Sequence, residues 1–337
     1  MPPVRVPLIG VTVVLLASCA PFDPGAPAPR DSDHTTTDTP PFDAGHQPPP
    51  PRPDAGWIVA VDAGTPDPVD AGVPPTTCPI GLHGERCDRT DADLVADVLD
   101  VDIDGLPSYA TVFPVHYDAA ARATDNTPAN NPVTDLGATL GRVLFHDRRL
   151  SVNGTVACAS CHRQDTAFSD PQVRSVGFEG GLTGAHSMRL GNARFYGGTS
   201  MFWDKRAPTL EAQVTEPIRN EVEMGFDEAH GGLAAVAERL AEIPAYPILF
   251  RRVFGDESIT EARMQRALAQ FVRAIVSTDS RFDRAYAAVY DRNAPDRDLG
   301  RNFASFTTQE NRGKQLFVNP PPAGGAGCAG CHVPPTF

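Results

Sequence analysis

Two pentapeptides of the form Cys-x-x-Cys-His constrain this 337-residue chain more than any other feature: Cys158-Ala159-Ser160-Cys161-His162 and Cys328-Ala329-Gly330-Cys331-His332. Two residues between the thiols match the spacing of the two vinyl groups of haem, and a histidine directly after them lies under the ring as an iron ligand. Zinc would call for two cysteine pairs that converge, with no role for the following histidine. A redox dithiol would sit in a βαβ pattern, and none surrounds these motifs. The sequence therefore predicts two covalently bound haem c groups, on Cys158, Cys161 and His162, and on Cys328, Cys331 and His332.

The beginning of the chain reads as an export signal. Arg5 precedes an apolar run, Val6 to Leu16, of signal-peptide length and too short to span a bilayer. Leu16-Ala17-Ser18-Cys19 resembles a bacterial lipobox, which implies cleavage after residue 19's predecessor and acylation of Cys19. More than one acyl chain makes a stable anchor. Ala20, rather than Asp, follows the cysteine, which by the same resemblance favours the outer membrane. The expected location is periplasmic and lipid-anchored. Residues 20–110 hold 17 Asp and Glu against 4 Lys and Arg, whereas residues 111–337 hold 25 against 24. The net charge of −13 thus belongs to the leader. No basic stripe is present, which argues against nucleic acid as a partner.

Residues 20–76 are rich in Pro, Thr, Asp and Gly, with Asp-Ala-Gly recurring at Asp43, Asp54, Asp62 and Asp70. So little apolar surface cannot offset the entropy of ordering, and the stretch is expected to be a disordered, extended tether. Within the same 20–110 linker, Cys78 and Cys87 flank a small loop and are expected to pair as a disulfide outside the cytosol.

The rest reads as helix. Leu136, Leu140, Val143 and Leu144 share one face of 134–146, with Thr134 as N-cap. Met264, Leu268, Phe271, Val272 and Ile275 form a stripe over 260–277, and Thr307 to Glu310 is a capping box opening a helix through Phe317. Strand alternation is scarce. The expected fold is all-α, in two cytochrome c-like haem domains at 111–295 and 296–337 behind the 1–19 signal and the tether.

Beyond the haem motifs, an ordered set of segments resembles the di-haem cytochrome c peroxidase/MauG family. It comprises Leu140 to Asp147, Leu150-Ser151, Phe202 to Ala207, Leu210 to Gln213, Pro217-Ile218, Glu223-Met224-Gly225, Phe271 to Ser277, Phe282-Asp283 and Glu310 to Phe317. The likeness spans about residues 125–337. It implies that the first haem is the site of peroxide cleavage and the second takes electrons from a donor. It places Trp203 between the haems, and Gln213 and Glu223 in the distal pocket as a catalytic pair. It offers His186 as a distal ligand to the first haem iron, with Met188 as a rival. It also offers Asn192 as a ligand of a calcium ion. Lys205 stands where the family commonly has glycine. The chain ends five residues after His332, and the second domain is expected to be incomplete.

The resemblance implies reduction of hydrogen peroxide to water with electrons from a small cytochrome c or cupredoxin. Two alternatives remain open: a MauG-like oxidase that modifies a partner protein, and a non-catalytic electron-transfer or sensor protein. A homodimer is expected by analogy with the family alone.

Overall fold

The computed structural model describes residues 90–198 and 200–337. Cys19, Cys78, Cys87 and the 20–76 tether lie outside the described residues. Those described all belong to one compact unit. They are helical, and their only extended pairing is three isolated bridges, such as Val176 with Leu182.

The first helix, α1 (Asp91–Leu99), corrects the expectation of a linker as far as residue 110. Thr90 and Asp93 form a capping box, and Asp91 and Asp93 lie in the first turn, where negative charge suits the helix N-terminus. Val95 is fully buried, and Val101, Ile103 and Tyr109 follow it into the core. The acidic composition concealed an apolar stripe at Leu94, Val95 and Val98 that has a helix to pack on, α7 (Ala245–Phe254).

The centre of the unit is a pair of long helices. α2 (Asp135–His146) begins at Thr134, whose hydroxyl accepts from the Gly137 N–H at 3.1 Å. α8 (Glu261–Ala274) begins at Thr260 and carries the expected stripe, with Met264, Leu268, Phe271 and Val272 all buried. It ends three residues earlier than the apolar period suggests. There Asn192 takes over the backbone: its N–H donates to the Ile275 carbonyl at 2.9 Å, and its Oδ1 accepts from the Ser277 N–H at 2.8 Å.

α2 and α8 touch backbone to backbone. A Cβ at Gly137 would collide with the Gln270 amide, and one at Gly141 with the Ala267 carbonyl and the Phe271 Cβ. Gly141→Val is therefore expected to lower stability by about 1–3 kcal/mol in chemical denaturation, because a main-chain neighbour cannot turn aside. Gly313 provides the control. It lies inside α10 (Thr308–Val318) with nothing within 4 Å of its Cβ position. Gly313→Ala should leave stability unchanged or raise it by up to about 1 kcal/mol.

Around the pair stand α6 (Gly232–Ala241) and α7, with one-turn helices α3 (Cys158–Cys161), α4 (Leu210–Gln213) and α5 (Glu216–Arg219) closing one end. Beyond the main core, α9 (Arg281–Ala287) and α10 pack around a separate aromatic cluster of Tyr286, Phe303, Phe282 and Phe306. The capping box Thr307/Glu310 opens α10 as expected.

Candidate active site

Cys158 and Cys161 sit three residues apart on the single turn of α3, so both thiols face one side. Both are free and half-buried. The loop before them is held on several sides. Arg239 donates to the carbonyls of Arg149, Ser151 and Val152, and Ser151 Oγ accepts from the Val156 N–H at 3.0 Å. Tyr246, fully buried, donates its hydroxyl to Asp147.

His162 follows directly. Its Nδ1 lies 3.0 Å from the Phe168 carbonyl oxygen, an acceptor only, so Nδ1 carries the proton and the neutral ring presents its lone pair at Nε2. Burial pushes the imidazole below its ordinary pKa, against backbone hydrogen bonds from Phe168 and Met188. Both effects suit a metal ligand. The carbonyl is aimed by backbone that side chains rarely adopt: Ala167 and Phe168 have φ of 61° and 57°.

These residues open onto a cavity. Its walls are mostly apolar, with Phe145, Val156, Leu190, Met224, Leu268 and Val272 among them. Gln213 and Glu223 also line it. The structure thus brings together five residues that the sequence singled out separately, across 65 positions of chain (Cys158 to Glu223).

Glu223 is placed by its backbone. Asn220 Oδ1 accepts from the N–H groups of Val222 and Glu223, at 2.9 and 3.0 Å. The Glu223 carbonyl accepts from the Phe178 N–H at 3.1 Å, and the Met224 carbonyl from the Val152 N–H at 2.9 Å. Gly225 has φ of 83°, and a Cβ there would strike the Phe178 ring, which explains glycine in Glu-Met-Gly. Burial raises the Glu223 pKa, and the Arg206 charge opposes it. Burial likewise drives the Cys158 thiol up to about 12.

The other expected residues stand elsewhere. Trp203 is 66% exposed, and its indole N–H donates to the His186 carbonyl at 3.2 Å. His186 is exposed, with Nδ1 3.0 Å from the Gln172 carbonyl and Nε2 3.1 Å from Ser169 Oγ. Neither lines the cavity. Asn192 lines a second cavity with Arg189, Ser280 and Asp283. Besides accepting from Ser277, its side chain donates to the Thr336 carbonyl at 3.1 Å. Among the described residues, no group of three or more His, Cys, Asp or Glu is placed to hold a metal ion. Lys205 has φ of 61°, the conformation that glycine adopts freely, and its ammonium meets the Tyr196 hydroxyl.

The second motif is different in character. Cys328 is a free thiol, His332 is exposed, and their backbones are joined by the His332 N–H to Cys328 carbonyl bond at 2.9 Å.

Residues 136–290 match the family model described as di-haem cytochrome c peroxidase. Methylamine utilization protein MauG of Methylophilus methylotrophus is 36% identical over 205 residues, covering 61% of this chain and 54% of that protein. MauG of Methylorubrum extorquens is 38% identical over 206 residues, 61% and 51% of the two chains. Cytochrome c551 peroxidase of Nitrosomonas europaea is 32% identical over 210 residues, 62% and 54%.

Residues 136–290 belong to the di-haem cytochrome c peroxidase/MauG family.

The chain spans about half the length of the curated relatives it matches. Among solved structures, a MauG-like protein associated with microbial copper homeostasis is 29% identical, covering 64% of this chain and 54% of that one, with a TM-score of 0.49. Membership implies two c-type haems. The first motif fits one on its own geometry: two free thiols, an imidazole with its proton held on Nδ1, and a mostly apolar cavity beside them.

Proposed function

We propose that the protein reduces hydrogen peroxide to water at the first haem site, drawing two electrons from a small periplasmic cytochrome c or cupredoxin. The observation that carries this reading is the convergence of Glu223 and Gln213 on the cavity that holds Cys158, Cys161 and His162. A carrier of electrons has no use for a half-buried acid beside its cofactor.

Haem, when bound, supplies the redox chemistry of O–O cleavage. The chain's residues supply the proton handling. The Glu223 carboxylate takes the proton from one peroxide oxygen and returns it to the other, so that water leaves instead of hydroxide. The Gln213 amide donates a hydrogen bond that orients the peroxide. The apolar walls keep bulk water from competing for those contacts. Overall, one peroxide, two electrons and two protons give two waters.

The same reading holds the protein to the periplasmic side of a membrane through acylated Cys19, with the Asp/Pro-rich stretch as a spacer. It leaves Trp203 as a route for electrons between haems and Asn192 as a calcium ligand. A second reading is favoured by the higher identity to the two MauG proteins than to the cytochrome c551 peroxidase. In it, the same site oxidises side chains of a partner protein.

The test is peroxide-dependent oxidation of a reduced small cytochrome by the complete gene product, matured with its haems. Rapid oxidation that stops when peroxide is exhausted is the expected result. Peroxide consumption only in the presence of a second protein that becomes oxidised would favour the second reading. No peroxide-dependent oxidation of any donor would overturn both.

A further inference from the structure

Gln213 lies at the end of α4, a helix of four residues, which is too short to fix its own position. Something else must hold it. Thr209 caps it, accepting from the Ala212 N–H at 3.2 Å, and Leu210 is buried. The strongest tie is on the opposite side from Gln213. Glu211, two residues earlier, sends its carboxylate away from the cavity to Arg273 of α8. The two guanidinium contacts are 2.6 and 3.0 Å. Arg273 Nε donates to Asn126 Oδ1 at 2.9 Å, and Asn131 Nδ2 donates to Glu211 Oε1 at 2.9 Å. Gln270 continues the network, donating to Asn131 Oδ1 at 2.8 Å.

Arg273 is 2% exposed and among the largest fully buried side chains. The carboxylate of Glu211 is held below its usual range by the Arg273 and Asn131 hydrogen bonds, which outweigh its burial. A buried ion pair is a poor device for stability, because well-packed apolar residues of the same volume serve as well or better. What it offers is geometry: a planar fork meets a planar carboxylate in one orientation. Arg273 also follows Val272, and Val272 and Leu268 form the α8 wall of the cavity. The pair therefore ties the wall that carries Gln213 to the wall formed by α8.

We propose that Arg273 is a positioning residue: through Glu211 it fixes α4 and so sets where the Gln213 amide stands in the cavity. This rests on the assignment of Gln213 to the haem site made above.

The test uses the haem-loaded protein and cyanide as a probe of the ferric site, read by the Soret shift. Gln213→Ala should weaken cyanide binding by about tenfold, the value of one lost hydrogen bond. Arg273→Lys keeps the charge and loses the fork, and should produce most of the same loss. In the Gln213→Ala background, Arg273→Lys should change affinity by less than about twofold, because the amide it positions is gone. Glu211→Gln is a gentler variant, to be used should Arg273→Lys lose its haem, and it should show the same pattern. An equal loss in both backgrounds would overturn the inference and make the pair purely structural. A Gln213→Ala protein with unaltered cyanide affinity would remove the site assignment itself, and the clamp with it.

Discussion

Glu223→Ala is expected to lower peroxide turnover by about 10²–10⁴-fold while leaving covalent haem in place, because it removes the one carboxylic acid that lines the cavity, a half-buried one. The backbone around residue 223 is held by Asn220, Phe178 and Val152, none of which uses the Glu223 side chain. The substitution should therefore spare the fold, and thermal unfolding should show it. Glu223→Gln separates shape from proton transfer: it fills the same space and should be nearly as inactive. The pH profile sharpens the point. Burial raises the Glu223 pKa, so the carboxylate needed as proton acceptor forms only above the ordinary glutamate range. Turnover should rise with pH along a limb displaced upward from that range, and Glu223→Gln should lack the limb. The sign for stability is opposite. The folded state holds this proton more tightly than the unfolded chain, so Glu223 makes stability fall as pH rises from the unfolded pKa through the folded one. The variant should flatten that fall. Unchanged turnover in Glu223→Ala would remove the carboxylate from the reaction altogether.

The residues that make bonds were legible in the sequence because their chemistry dictates type and spacing. Thiols must match two vinyl groups, while Gln213 and Glu223 were reached through the family resemblance, and the φ of 83° at Gly225 explains the glycine beside Glu-Met only once the backbone is seen. Helices α2 and α10 were legible through their caps and apolar periods. What escaped is what depends on backbone placement. The Phe168 carbonyl that orients His162 carries no side-chain signature, and the two left-handed residues that aim it are Ala and Phe, types that ordinarily avoid that region. Asn220 beneath Glu223 looks like any turn residue until its two N–H partners are seen. Helix α1 was hidden by its acidic composition, which suits an N-terminal turn as well as it suits a solvated linker. The end of α8 was overestimated because the apolar period continues through Ile275, while Asn192, far away in sequence, claims the backbone there. Arg273 and Glu211 were visible only as members of family segments. Nothing in one sequence tells that a guanidinium on one helix is buried against a carboxylate on another.

Replacing Cys158 and Cys161 together by serine should remove exactly one haem from the intact protein by mass, and lower its thermal stability as well. The reasoning starts from the cavity. A space walled by Phe145, Leu190, Leu268 and Val272 is more stable when filled, since empty apolar volume forfeits contacts. A covalently held haem stays with the chain, so the contacts it makes in the folded cavity add stability that dilution does not remove. Without thioethers, haem is retained through His162 alone and can be extracted, so acid acetone should strip it from the variant and not from the parent. Peroxide turnover should fall to background in the stripped protein. His162→Gly provides the complementary result: the thiols remain, attachment persists by mass, and the loss appears in the iron's spectrum and in activity. If the double serine variant retained a haem that resists extraction at this motif, Cys158 and Cys161 would not be its attachment points, and the cavity would have to owe its shape to something other than the group the motif predicts.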